Sequence, residues 1–166
     1  MGERERLVGM IEPEPFSPLL AAILFPIGWF LIMHWISILG GWRRFAEVYA
    51  SESEFAGTKK YFQSALLHHI PLLPASYSNM ISIGANQSGV YFGVLILFRP
   101  GHEPFFIPFE ELEGQERRFL FVFRYVTLRA QRTPEVAISV NQKLGIWLEE
   151  QSQGDWSFQR RSEMSQ

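Results

Sequence analysis

FSPLLAAILFPIGWFLIMHWISILGGW, residues 16–42, is the stretch on which the reading of this chain turns. From Pro15 to Trp42 there is no Asp, Glu, Lys or Arg, and the only ionisable side chain is His34. A helix needs about 20 apolar residues to cross a hydrocarbon layer of about 30 Å. The 27 residues available cross it with some tilt. Pro26 would break a soluble helix, but membrane helices tolerate proline because neighbouring groups re-satisfy the backbone. The stretch therefore predicts a transmembrane helix over 16–42. A cleaved signal peptide fits poorly. Such peptides have an apolar core of about 7–15 residues behind a basic leader. Here residues 1–15 mix Glu3, Glu5, Glu12 and Glu14 with Arg4 and Arg6, and no A-x-A-like site precedes Trp42.

Reading outward from that span, Trp42 stands where an indole suits the headgroup level, and Arg43 and Arg44 follow it. These three are the expected membrane-interface residues. Arg4, Arg6 and the amino terminus lie before the span; Arg43, Arg44, Lys59 and Lys60 lie after it. The excess of cations after the span places the C-terminal portion in the cytoplasm, with the chain crossing the membrane once.

The whole chain has 166 residues, room for one domain of ordinary size plus an appendage. Only 19% of it is charged, against roughly 25% in soluble proteins. Its mean hydropathy of 0.00 averages two unlike parts. A net charge of −2 provides no basic field, so nucleic acid is not an expected partner. The absence of cysteine excludes disulfides, thiolate metal sites, iron–sulfur clusters and cysteine nucleophiles. Asp155 is the only aspartate.

In WRRFAEVYASE, residues 42–52, Trp42, Phe45, Val48 and Tyr49 share one helical face. That amphipathic stripe has two uses, lying along the membrane or packing on the domain that follows. Ala56-Gly57-Thr58 breaks the chain, and strand signals follow. They cover 61–67, 77–83 after a proline-bearing connection at 70–74, and 90–98, where VYFGVLILF reads as a strand buried on both faces. Further strand signals cover 104–109, 119–128 after a break at Gly114, and 136–140. Residues 141–151 then read as a helix with Asn141 as N-cap. The domain plan is a leader over 1–15, the transmembrane helix over 16–42, an amphipathic stretch and linker over 43–58, a β domain with terminal helix over 59–151, and a loosely ordered polar tail over 152–166. The fold class is α+β: one N-terminal transmembrane helix, then a small, mainly antiparallel β domain closed by a C-terminal helix.

About six strands followed by one helix resemble the pleckstrin-homology-like superfold of small bacterial membrane proteins. The closest match lies in GVYFGVLILFRPGHEPFFIPFEELE, residues 89–113, where Ile107, Pro108, Phe109, Glu110 and Glu111 resemble the "IPW-x-D-I" stretch of bacterial PH-like and GRAM-like domains. The resemblance implies a half-barrel sheet and a binding role more often than a catalytic one.

Chemistry is sparse. His68 and His69 are adjacent, and neighbours on a strand point to opposite faces, so they do not chelate together. His102 and Glu103 sit in a proline–glycine turn, and no G-x-S-x-G, G-x-G-x-x-G or Walker loop occurs. A non-catalytic protein without a cofactor is expected. Arg118, Arg124 and Arg132 share one strand parity, Arg117 and Arg129 the other, so the first three are candidates for a partner or lipid contact. Residues 43–166 carry 13 cations and 13 acids, so there is no overall pull toward an anionic surface. His34, a polar group within the apolar run, has three uses: a hydrogen bond to a neighbouring helix, an interfacial position, or ligation of a chlorophyll-type pigment or haem. The expected function is an accessory subunit that stabilises or assembles a larger membrane complex, energy-transducing or photosynthetic, with its other subunits and the bilayer as partners. The alternative is a free membrane-anchored PH-like module that binds lipid headgroups or peptides.

Overall fold

The computed structural model describes residues 17–51, 55–70, 73–119 and 123–160. Two compact units are present, residues 1–32 and residues 33–166. The first contains most of helix α1, Pro18–Gly40, and its described side chains are largely exposed. Within it Phe25 and Trp29, one turn apart, stack at 6.3 Å. α1 is long and apolar enough to cross a membrane. It ends at Gly40, two residues before the predicted limit, because Gly41 adopts φ +81° and stops the helical hydrogen bonding.

The second unit begins at Met33 and so takes in the last two turns of α1. After Gly41 a short helix, α2, runs over Trp42–Val48. Seven strands follow: β1 Thr58–Ile70, β2 Leu73–Asn86, β3 Gly89–Val94, β4 Phe105–Pro108, β5 Leu112–Phe119, β6 Phe123–Ala130 and β7 Ala137–Asn141. They form one antiparallel sheet in the order β4-β3-β2-β1-β7-β6-β5, curled into a half-barrel. β1 is its spine. It pairs with β2 over most of its length and with β7 through residues 65–68, and register shifts between Lys60 and Ala65 bend it there.

Helix α3, Gln142–Gln151, lies across β6 and β7 and closes the half-barrel, as the sequence predicts. Asn141 caps it, its Oδ1 accepting from the Leu144 amide at 2.8 Å. Gly145 lets α3 press onto the sheet, because a Cβ there would stand 2.5 Å from Val126. The core is the concave face, where Ile81, Phe92, Phe105, Val126 and Ile138 are fully or almost fully buried in one cluster with Trp147 and Leu148.

Three sequence expectations are corrected. The strand read over 90–98 stops at Val94, and Ile96–Phe98 is a 3-10 turn. The strand read over 119–128 is two strands of a hairpin, because β5 runs through Gly114 instead of breaking there. Gly114 is glycine for packing: a Cβ would stand 2.7 Å from both Trp156 and Phe158. Those two aromatics correct the third expectation, the loose tail. Ser152, Trp156 and Phe158 are buried, and the Trp156 indole donates to the Leu112 carbonyl at 2.6 Å. Two backbone bonds join Gln159 to β5, so residues 152–160 belong to the domain. Residues 161–166 and the leader 1–15 lie outside the described residues.

Candidate functional site

A hydrogen-bonded cluster forms the seat of α1. Because Gly41 turns the chain, Trp42 faces inward, fully buried. Its ring stands edge-on to Phe105 at 5.0 Å and lies 5.4–5.5 Å from His102 and Tyr77. Its Nε1 donates to the Glu103 carbonyl at 2.8 Å. Beneath it the Tyr77 hydroxyl and His102 Nε2 are 3.0 Å apart, and His102 Nδ1 is 3.1 Å from the Pro100 carbonyl. A carbonyl only accepts, so Nδ1 carries the proton, Nε2 accepts, and the Tyr77 hydroxyl donates. Burial pushes the His102 pKa down, partly offset by the Pro100 and Phe98 carbonyls, and burial likewise raises that of Tyr77.

From α1, the Ser37 hydroxyl donates to the Gly101 carbonyl across 64 residues of sequence. Gly101, at φ +73°, packs against His34, and Gly40 lies against Ala75 and Tyr77 where a Cβ would stand 2.7 Å from its neighbour. The loop 99–104 thus grips the last two turns of α1. His102 and Glu103 serve this grip: His102 through its ring and Glu103 through its carbonyl. The Tyr77 hydroxyl and the His102 imidazole are buried beneath Trp42, and the contacts of the cluster join the end of α1 to the domain.

The sequence-predicted residues fall in different places. The Trp42 indole is fully buried in the core of the domain. Its helical partners Phe45 and Tyr49 are buried too, so the amphipathic stripe of α2 packs on the domain. Arg43 and Arg44 are exposed beside the end of α1. Arg43 pairs with Glu47 at 2.9 Å, and Arg44 with Glu135 at 3.4 Å. Exposed pairs of this kind add little stability.

Arg118 and Arg124 face each other directly across the β5–β6 hairpin. A cleft of about 440 Å³ beside them is lined by Gln115, Arg117, Arg118, Tyr125 and Arg160. Arg132 is not part of it. It sits in the turn after β6, bonded to Glu111 at 2.7 Å and stacked over the Tyr49 ring at 4.3 Å. Strand parity had grouped it with Arg118 and Arg124, but parity ends where the strand does. The Tyr49 hydroxyl and Arg132 together hold the Glu111 carboxyl below its usual range.

Arg117 and Arg129 share the convex face with Thr127, Ser139 and His68. There Thr127 and Ser139 hydroxyls are 3.2 Å apart, and His68 Nε2 is 3.1 Å from Ser139. Burial, then repulsion from Arg117 and Arg129, lowers the His68 pKa. Among the described residues no three His, Asp or Glu side chains gather as a metal site.

Sequence reading missed the Ser37–Gly101 and Tyr77–His102 contacts. Its only available signal was a histidine that follows Pro100-Gly101 in a proline-bearing turn. No protein-family model matches this chain, and no curated protein matches it.

Proposed function

We propose that this protein is a non-catalytic, single-pass membrane protein, an accessory subunit whose helix packs against a larger membrane complex while its domain clamps one face of it. The observation that carries this reading is the seat of α1. Ser37, Gly40, Trp42, Tyr77 and His102 build the last turns of the helix into the domain. A module that samples lipid or peptide from a tether has a flexible connection at this point. A subunit that must hold a fixed position has a rigid one.

The PH-like kinship is part of the proposal. Seven antiparallel strands with β1 central, closed by a C-terminal helix, support it together with the "IPF-E-E" segment at 107–111. The cation excess of Arg43, Arg44, Lys59 and Lys60 supports a cytoplasmic domain. His34, at the domain edge beside Gly101, fits a hydrogen bond to a neighbouring subunit better than a pigment or haem ligand.

The second reading, a free lipid- or peptide-binding module, draws on Arg117, Arg118 and Arg160 lining the β5–β6 cleft, with Arg124 paired opposite Arg118. Solubilisation of the native membrane in mild detergent separates the two. An accessory subunit migrates with a large complex, and His34→Leu weakens that association while leaving absorption bands unchanged. Migration alone overturns the subunit reading, and loss of a pigment or haem band overturns the assignment of His34.

A further inference from the structure

Residues 95–98, LILF, end the longest apolar run in the domain and lie beyond β3, the strand that the run forms. β3 stops at Val94, the backbone turns through Ile96–Phe98, and Ile96 and Leu97 are 85% and 64% exposed. Single exposed apolar side chains are ordinary on a protein surface; two large aliphatic neighbours at one projecting turn are a contact surface. The turn is firmly built. The Leu95 amide donates to the Met80 carbonyl at 2.9 Å, Phe98 to Leu95 at 2.8 Å, and His102 to Arg99 at 2.9 Å.

The loop that follows the turn is fixed along α1, because Gly101 accepts from Ser37 and lies against His34. A helix spends about 20 residues in crossing the hydrocarbon layer. Counted from Pro15, the first residue after Glu14, that span ends at His34; counted from Pro18, where α1 begins, it ends at Ser37. Both counts put the hydrocarbon boundary where the loop is bound.

We propose that the turn 95–98 is a second membrane contact, with Ile96 and Leu97 entering the boundary between headgroups and acyl chains beside the helix. The occupant of this surface is lipid. The turn leads directly into the loop that Ser37 and His34 of α1 hold at Gly101, and Arg99 between them is exposed and supplies a cation. Together with α1 it gives the domain two attachments, which fixes its tilt against the bilayer. The proposal rests on the reading of α1 as a membrane span.

The chain has no cysteine, so single-cysteine variants of the full protein report one position each. Ile96→Cys, Phe30→Cys in α1 and Lys143→Cys on the exposed side of α3 are labelled with an environment-sensitive fluorophore and reconstituted in phosphatidylcholine vesicles. Labels at 96 and 30 are expected to lose most of their emission to nitroxide-bearing lipids and little to aqueous iodide, and the label at 143 to do the reverse. A label at 30 in lipid with one at 96 in water overturns the second contact and leaves the anchor standing. Labels at 30 and 96 both in water overturn the anchor and this proposal together. A label at 96 shielded from both quenchers means that protein covers the turn, and overturns lipid as its occupant.

Discussion

The Tyr77 hydroxyl lies 3.0 Å from His102 Nε2, out of contact with solvent and beneath the Trp42 ring, so the helix seat contains one neutral hydrogen-bonded pair that water does not reach. An isolated polar group in such a place is costly, and the pair is tolerated because each member satisfies the other. Tyr77→Phe removes the donor and strands the imidazole, with an expected loss of about 1–3 kcal/mol of stability. Denaturant unfolding of the full chain in mild detergent measures it. Tyr77→Phe with His102→Phe should cost less than the two single changes added together, because neither leaves an orphan in the double variant. Strict additivity would show that the bond does not couple the two residues.

Acid should loosen the fold through the same histidine. His102 has a folded pKa below the ordinary histidine value of 6.5, and His68 shifts in the same direction. In the window between the folded and unfolded values the unfolded chain binds protons that the folded chain refuses. Stability is therefore full above 6.5 and falls as pH drops through the folded value. His102→Gln, which stays neutral, should flatten the decline of unfolding midpoint from pH 7 to pH 5. His68→Gln should flatten it independently. Glu111 acts in a separate, lower window, since its pKa lies below 4.5. Slopes equal to that of the unaltered protein would sink this account.

Two glycines of the N-terminal region should behave oppositely. Gly41 sits at φ +81° with a Cβ position 2.8 Å from His69 and Val136, so Gly41→Ala meets both backbone strain and crowding. It is expected to cost about 1–3 kcal/mol. Gly28 has nothing within 4 Å of its Cβ position, and Gly28→Ala gains helix propensity instead. Thermal unfolding of the two variants in one detergent compares them, and equal midpoints would remove Gly41 from the seat.

Residues 152–160 are predicted to be indispensable. Truncation after Gln151 removes Trp156 and Phe158 from the core and their cover from Gly114. Trp156→Ala alone should cost about 3–5 kcal/mol, the range for a large aromatic lost from a packed interior. A truncated chain that keeps its full unfolding midpoint would return this segment to the status of a tail.

The apolar run that builds α1, the Asn141 cap with the helix behind it, and the strand signal at 136–140 that becomes β7 are properties of contiguous residues. What went wrong went wrong at ends and joins. Val90 to Phe98 is apolar throughout, and nothing in its composition marks Val94 as the last residue with a partner strand. The Phe-rich segment at 119–128 hid a hairpin because apolar sequence continues from Phe119, where β5 ends, to Phe123, where β6 begins. Arg132 lost its expected companions because strand parity does not survive a turn.

By itself the sequence determined that an uncharged helix precedes an antiparallel α+β domain, since hydropathy, periodicity and capping are written in neighbouring residues. Only the tertiary structure decided that Trp42 is buried, that the last turns of α1 belong to the domain, and that Ile96 and Leu97 are left outside. Each of those outcomes depends on pairs such as Ser37 with Gly101 or Tyr77 with His102, distant in sequence. Chain closure brings such pairs together, and it leaves no local pattern in the residues it joins.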